Sequence, residues 1–461
     1  MMRGVIKMAV FFVGALGVLV LCSLAAAMDG SGTEADPYVI TDVTELQAMR
    51  DDLGACYVLG NDIDACDTRT WNGGVGFEPV GSDPNGFTGK FDGQGNTVTG
   101  LYINRPSEGR VGLFGFLTGG AEVKNVGLAD VDITALGGSG SLVGASNGSS
   151  IFRCWVSGTV RGTSTIQAPL GGLVGGNING SFMSQCFSLA DVYATSAGSP
   201  ANRTGGLVGL SNKGSIILDC YARGNVTAKN KVGGLVGDNT WGSYGGYIKN
   251  CYSTGHVTGD GGGLVGYNWM SGVTYDSYWD IETSGKTSSH GGAGRTTAEM
   301  MQEGTFAGWD FDEVWGIVEG ETYPFLLWEL SGVRLAIARL EGAIGRKVAA
   351  LEVLDGALEQ EDEAYAVLEE VLAGGDYEGL SKRDIAASQR KIESAVRRQK
   401  RSKRVVLGSI EELEDALLSL GWELEPEPNE PAPEPNVPEP NVPEPNVPVP
   451  GKRLNVFRVQ R

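Results

Sequence analysis

The chain has 461 residues, 71 of them glycine, and a formal net charge of −20. So much glycine argues against an ordinary globular enzyme, and the glycines do not fall every third residue, which excludes collagen. With no domain-wide basic face, nucleic acid is not an expected partner.

Residues 1–27 read as a secretory signal peptide. Arg3 and Lys7 open it, an almost wholly apolar run follows from Met8 to Leu24, and Ala25-Ala26-Ala27 forms a small-residue cleavage pattern before Met28. A retained anchor is the alternative, because the apolar run approaches spanning length. Cys22 follows Leu21, where a lipid-attachment site would need a small residue. The expected location is outside the cell, secreted or associated with the cell surface.

Residues 28–330 are expected to form one β-rich unit. Gly-Leu-Val-Gly recurs at Gly172–Gly175, Gly206–Gly209, Gly234–Gly237 and Gly263–Gly266, with variants at Gly112–Gly115 and Ser141–Gly144. A second block follows most copies, beginning at Cys154, Cys186, Cys220 and Cys251, with degenerate copies at Val126 and Ser277. The cysteine spacings of 32, 34 and 31 give the period. A unit of this size with two or three short strands cannot bury its own apolar face, so the copies must stack as coils about 4.8 Å apart.

These copies, over about residues 112–283, resemble the GLUG motif repeats of bacterial surface proteins. The flanks YVLGNDIDA and GFTGKFDGQGNTVTGLYINR on one side, and SYWDIETSGKTSSHGGAGRTTAEMMQ and YPFLLWE on the other, resemble those of the same family. The resemblance implies a right-handed parallel β-helix-like solenoid and implies no defined enzymatic activity.

Side-chain alternation assigns the two faces of the Cys blocks. One set holds Cys154, Val156 and Val160 and their equivalents; the other holds Trp155, Phe187, Tyr221 and Tyr252 together with Asp191, Arg223 and Asn225. Burying the second set would bury unpaired charge, so the cysteines are expected inside and the aromatics outside. Trp155, Phe187, Tyr221, Tyr252 and Tyr278 would then align as an outward ladder. Such a row suits a glycan or another protein surface, or becomes a second small core if loops such as 162–170 and 195–204 fold over it.

The cysteine ladder reads as buried thiols, with inter-coil disulfides as the alternative. Cys56 and Cys66, ten residues apart, are expected to form one bridge in an exported protein. No cofactor or metal is expected. His256 and His290 are the two histidines, and His-Glu-x-x-His, Gly-x-Ser-x-Gly and Walker-type motifs are absent from the sequence. Asp62, Asp64, Asp67 and Asp92 are the carboxylates to weigh for calcium or acid–base work. Their spacing does not fit a calcium loop cleanly, and Asp92–Asn96 reads as a turn.

Residues 331–421 change character. Ile337, Ile344, Leu351, Leu358, Tyr365 and Leu372 recur every seven residues, as do Ile385, Ile392, Gln399, Val406, Leu413 and Leu420. Acidic residues fill the first segment and basic ones the second at mirrored distance from Tyr377. An antiparallel coiled-coil hairpin is expected, with helices at about 333–373 and 381–420. A parallel coil between chains is the runner-up, because Gln399 and Lys403 leave the seam imperfect. Residues 422–461 form a Pro/Glu/Asn-rich low-complexity tail, expected to be an extended, disordered spacer.

The functional expectation is a non-catalytic exported surface or matrix scaffold that binds an extracellular glycan or surface protein through the solenoid. A carbohydrate-active β-helix enzyme, a lyase or hydrolase, is the alternative.

Overall fold

The computed structural model describes residues 28–163, 168–194, 203–240, 245–269, 272–330, most of 347–370, and 382–419. The expected signal peptide, the expected turn near Tyr377 and the expected disordered tail all fall on residues outside those described. Two compact units divide between Trp309 and Asp310.

The first unit is mainly β and is a parallel β-solenoid. Its strands stack into three walls. Among the described residues the long wall has nine strands, running from Tyr38–Ile40 and Cys56–Leu59 through Lys90–Asp92, Glu122–Lys124, Ser150–Phe152, Phe182–Ser184, Ile216–Leu218 and Tyr247–Lys249 to Val273–Tyr275. The motif wall has six, one from each Gly-Leu-Val-Gly copy: Phe114–Leu117, Val143–Asn147, Val174–Ile178, Val208–Ser211, Val236–Asp238 and Val265–Tyr267. The third wall carries the Cys blocks, among them Trp155–Gly162, Phe187–Ser188, Tyr221–Ala222 and Tyr252–Ser253.

The motif owes its composition to coil-on-coil contact. Its Leu, and the Val or Phe that follows, are wholly buried in every copy, as at Leu207 and Val208. Its first glycine lies against the carbonyl of the same glycine one coil on. A Cβ on Gly172 would come 2.1 Å from the Gly206 oxygen, and one on Gly206 would come 2.2 Å from the Gly234 oxygen. Close approach, not a special backbone angle, requires glycine there.

A corner joins the long wall to the third wall. The corner residues Asn125, Arg153, Gln185, Asp219, Asn250 and Asp276 all have left-handed backbones, with φ between 43° and 52°. Asn and Asp tolerate this region better than most residues. Arg153 and Gln185 are held by each other, the Arg153 Nε donating to the Gln185 Oε1 at 3.0 Å.

Both ends of the stack are closed. At the start, helix Val43–Ala48, capped by Asp42, and the turn after it bury Leu46 and Met49 in the core. At the far end, Trp279 stands where earlier coils carry Ser253 and Ala222, and it fills the interior. Ser289 and His290 then pair with the outermost motif strand: the backbone N–H groups of Leu264 and Val265 donate to Ser289 Oγ, and the His290 N–H donates to the Val265 carbonyl.

In the second unit, Trp315–Gly316 pairs antiparallel with Phe325–Leu326. A helix of 38 residues spans Lys382–Ser419, and residues 350–360 are helical. Lys403 contacts Asp355, and Lys347 Nζ donates to Ser409 Oγ at 2.7 Å. Among the described residues, no helix is long and apolar enough to cross a membrane.

Gly206→Ala should destabilise the solenoid by about 1–3 kcal/mol or more, because the neighbouring carbonyl cannot yield without moving a coil. Gly304→Ala, where a Cβ would meet nothing within 4 Å, should stay within about 0.5 kcal/mol of the parent. Chemical denaturation of both variants checks the contrast.

Candidate functional surface

The third wall was expected to carry the site. Its inner column is as anticipated: Cys154, Cys186, Cys220 and Cys251 are fully buried, continued by Val126 before them and Ser277 after. All four are free thiols. Each donates to the carbonyl two residues earlier, at 3.3 Å for Cys154, 3.2 Å for Cys186 and Cys220, and 3.0 Å for Cys251. The backbone N–H of Cys154 donates to the Cys186 sulfur, and that of Cys186 to the Cys220 sulfur. Burial holds the thiols of Cys154, Cys186 and Cys220 well above the ordinary thiol range.

The aromatic column aligns in register from Trp155 through Phe187, Tyr221 and Tyr252 to Tyr278. Successive rings stack nearly parallel, with centroids 5.8, 4.8 and 5.0 Å apart from Trp155 to Tyr252. The expectation that they form an open binding row is corrected. Phe187, Tyr221, Tyr252 and Tyr278 are only 5%, 1%, 0% and 8% exposed, and Trp155 is half-buried. Segments from outside the repeats cover part of the row: Phe306 and Trp309 pack on Tyr278, and Trp309 on Tyr252. Arg223 folds back over Tyr221, 4.6 Å from its ring centre, and donates to the Tyr252 hydroxyl. This column is a second core and admits no ligand along four of its five rings.

The expected Cys56–Cys66 bridge is also corrected: both are free. Cys56 lies in the long wall, in the outward column continued by Lys90, whereas its neighbour Tyr57 is buried. Cys66 comes after the strand Ile63–Asp64, which belongs to the third wall. Ten residues of sequence thus include the passage from one wall to another.

The candidate carboxylates serve backbone geometry. Asp62 accepts from the Thr97 N–H at 2.8 Å, Asp64 from Cys66 at 2.9 Å, and Asp92 from Gln94 at 2.9 Å and the Asn125 amide at 3.0 Å. Asp67 contributes its carbonyl, which accepts from Thr70. Among the described residues, no group of three His, Cys, Asp or Glu is placed to hold a metal. His256 is exposed, its ring 3.3 Å from the Thr283 carbonyl, and His290 lies beside Tyr267.

The exposed surface that the repeats do build is on the long wall. Position four residues before each ladder cysteine points outward. Reading along the stack, it is Lys90, Glu122, Ser150, Phe182, Ile216, Tyr247 and Val273. The early coils carry charge that pairs within itself: Lys90 with Glu34, and Lys124 with Glu122 and Asp92. The later coils carry apolar groups in the open. Phe182 and Ile216 are more than a third exposed, Tyr247 is 48% exposed, and Tyr275, on the outermost strand, is 54% exposed. Trp269 is 59% exposed and stacks on Tyr267 of the motif wall, with ring centroids 6.4 Å apart. The signal in the sequence was the residue at four before each cysteine (FMSQC, IILDC, YIKNC), which lies outside the blocks used to assign the faces.

No family model matches the chain. An alignment of 326 residues at 35% identity relates it to halomucin of Haloquadratum walsbyi, over 67% of this chain and 3% of that protein. A second, of 398 residues at 29% identity, relates it to a protein of Evansella cellulosilytica named as a Gly-rich membrane protein, over 64% of this chain and 45% of that one. The chain therefore spans a small part of the first and under half of the second. Among solved structures, an IgA1 protease superposes on 52% of this chain and 21% of its own length, at 19% identity with a TM-score of 0.38.

Tyr221→Ala should cost about 3–5 kcal/mol in denaturant unfolding, as for a fully buried aromatic. The cysteine column should make stability fall in alkali. In the unfolded chain a thiol ionises near its ordinary value of 9.0, whereas the buried thiols resist ionisation. Their contribution is therefore complete below about pH 9 and is lost as pH rises beyond it. Cys220→Ala should flatten that decline in urea titrations from pH 7 to 10.5. An unchanged slope would contradict the assignment.

Proposed function

We propose that this chain is a non-catalytic, exported scaffold of the cell surface or matrix whose long wall binds an extended extracellular glycan. The observation that carries the reading is the outward run Phe182–Ile216–Tyr247, at one register on successive coils, with Tyr275 exposed on the same wall. Flat apolar and aromatic groups suit the C–H faces of sugar rings. Contiguous exposed apolar surface on a soluble domain marks an interaction site. The names of the two relatives, halomucin and a Gly-rich membrane protein, support a surface protein.

The remaining parts fit an exported scaffold. Residues 1–27 serve as the signal peptide, and the repeats are of the GLUG kind, wound right-handed as parallel crossovers require. The C-terminal part forms an antiparallel hairpin. The contacts Lys347–Ser409 and Asp355–Lys403 support it, since both pairs are centred at residues 378–379, beside Tyr377 where the charge pattern turns.

A carbohydrate-active enzyme is disfavoured by the way Asp62, Asp64 and Asp92 are engaged with backbone N–H groups. Such chemistry needs acid and base groups converging on a substrate.

Purified protein should bind one or more neutral polysaccharides in a glycan array. Tyr247→Ala and Tyr275→Ala should each weaken that binding at least about tenfold, the loss of one ring–sugar stacking contact of roughly 1.4 kcal/mol or more, while shifting the melting temperature little. Binding unaffected by both variants, binding confined to surface proteins, or release of sugar products from the array would each overturn the reading.

A further inference from the structure

The turn between the motif wall and the long wall brings two columns of residues together inside the solenoid. One ends the motif strands: Leu117, Ser146, Asn177, Ser211, Asn239 and Asn268 on successive coils. The other precedes the long-wall strands: Ala121, Ser149, Ser181, Ser215, Gly246 and Gly272. The seam is apolar on its first coil and polar on every later one, although it is buried throughout most of its length.

Between the second and third coils the serines Ser146 and Ser181 satisfy one another. Ser146 Oγ donates to Ser181 Oγ at 3.1 Å, and Ser181 Oγ donates to the Ser146 carbonyl at 2.9 Å. From Asn177 of the third coil onward the polar groups do not satisfy one another. Asn177, Asn239 and Asn268 each spend an amide N–H on a backbone carbonyl: that of Ile216, which opens a long-wall strand, at 3.4 Å, Gly246 at 3.1 Å and Gly272 at 2.8 Å. Those donations orient the amides and leave the three Oδ1 atoms without a partner, as are Ser211 Oγ and Ser215 Oγ. Asn177, Ser211, Ser215 and Asn239 are 0% exposed. Two of these atoms meet at one point: the place a Cβ would take on Gly246 lies 2.2 Å from Ser211 Oγ and 2.6 Å from Asn239 Oδ1.

Buried polar atoms in native proteins find partners, and a polar recess with two to four such atoms is where internal water binds. We propose that the seam binds a short file of water molecules from its third coil to its last, linking the Ser211 and Ser215 hydroxyls to the unpartnered asparagine Oδ1 atoms. The ligand class follows from the mixture of groups. Asparagine oxygens only accept and serine hydroxyls can donate, which suits water. A cation would need acceptors alone and is given no carboxylate here.

A high-resolution crystal structure of the full chain tests this directly. Ordered oxygen density about 2.7–3.2 Å from Ser211 Oγ and Asn239 Oδ1 is expected. A dry seam, or an anomalous peak there after a rubidium soak, would overturn it. Oxygen-17 relaxation dispersion in solution gives a second readout. The parent should show long-lived internal water, and the Ser211→Ala/Asn239→Ala variant should lose at least one such molecule. A folded variant with unchanged amplitude would count against the file. If that variant fails to fold, the parent crystal structure decides.

Discussion

Parallel pairing at about 4.8 Å places each side chain directly on its counterpart one coil away, and most of this structure follows from that constraint. A column can persist only if its residue type stacks on itself. Small thiols do so at Cys154, Cys186, Cys220 and Cys251, and flat rings do so from Trp155 to Tyr252. Like charges cannot, so where charge enters an outward column it alternates in sign, Lys90 against Glu122. Where backbones of adjacent coils touch, only glycine fits, as at Gly172, Gly206 and Gly234.

The same constraint makes the two ends special. A stack of parallel strands leaves unpaired edges that would recruit further strands. Here the terminal coils depart from the repeat in the way needed to stop it. Trp279 replaces the small inward residue of earlier coils, and the segment at Ser288–His290 takes up the backbone groups of the last motif strand. The flanking sequences that accompany the repeats are thus its lids.

The period, the parallel stacking and the inward cysteines were legible because each depends on one coil repeating. Alternation along CYARGNV states which way Tyr221 points relative to its wall. It cannot state whether something lies on top, and Phe306 and Trp309, which cover part of the row, belong to no repeat. Arg223 was weighed as an unpaired charge if buried, yet it lies over Tyr221 and donates to Tyr252. Cys56 and Cys66 misled for a related reason: sequence distance ignores the corner between them. The exposed run at Phe182, Ile216 and Tyr247 was present in the repeat but sat just upstream of the conspicuous cysteine.

A wall of this kind binds differently from a cleft. Each coil offers one modest contact, and the contacts add along the axis only if the ligand repeats too. The geometry therefore favours a polymer over a small molecule. Charge narrows the choice further. At a net charge of −20 the chain repels polyanions at long range, although salt screens that repulsion beyond roughly 8–10 Å. The charged half of the long wall is neutralised within itself by the Lys90–Glu34 and Lys124–Glu122 pairs, so it offers a polyanion little compensation. On the glycan-binding reading proposed above, the apolar half, from Phe182 to Tyr275, is what would hold the ligand, and that half favours an uncharged chain with repeated hydrophobic faces.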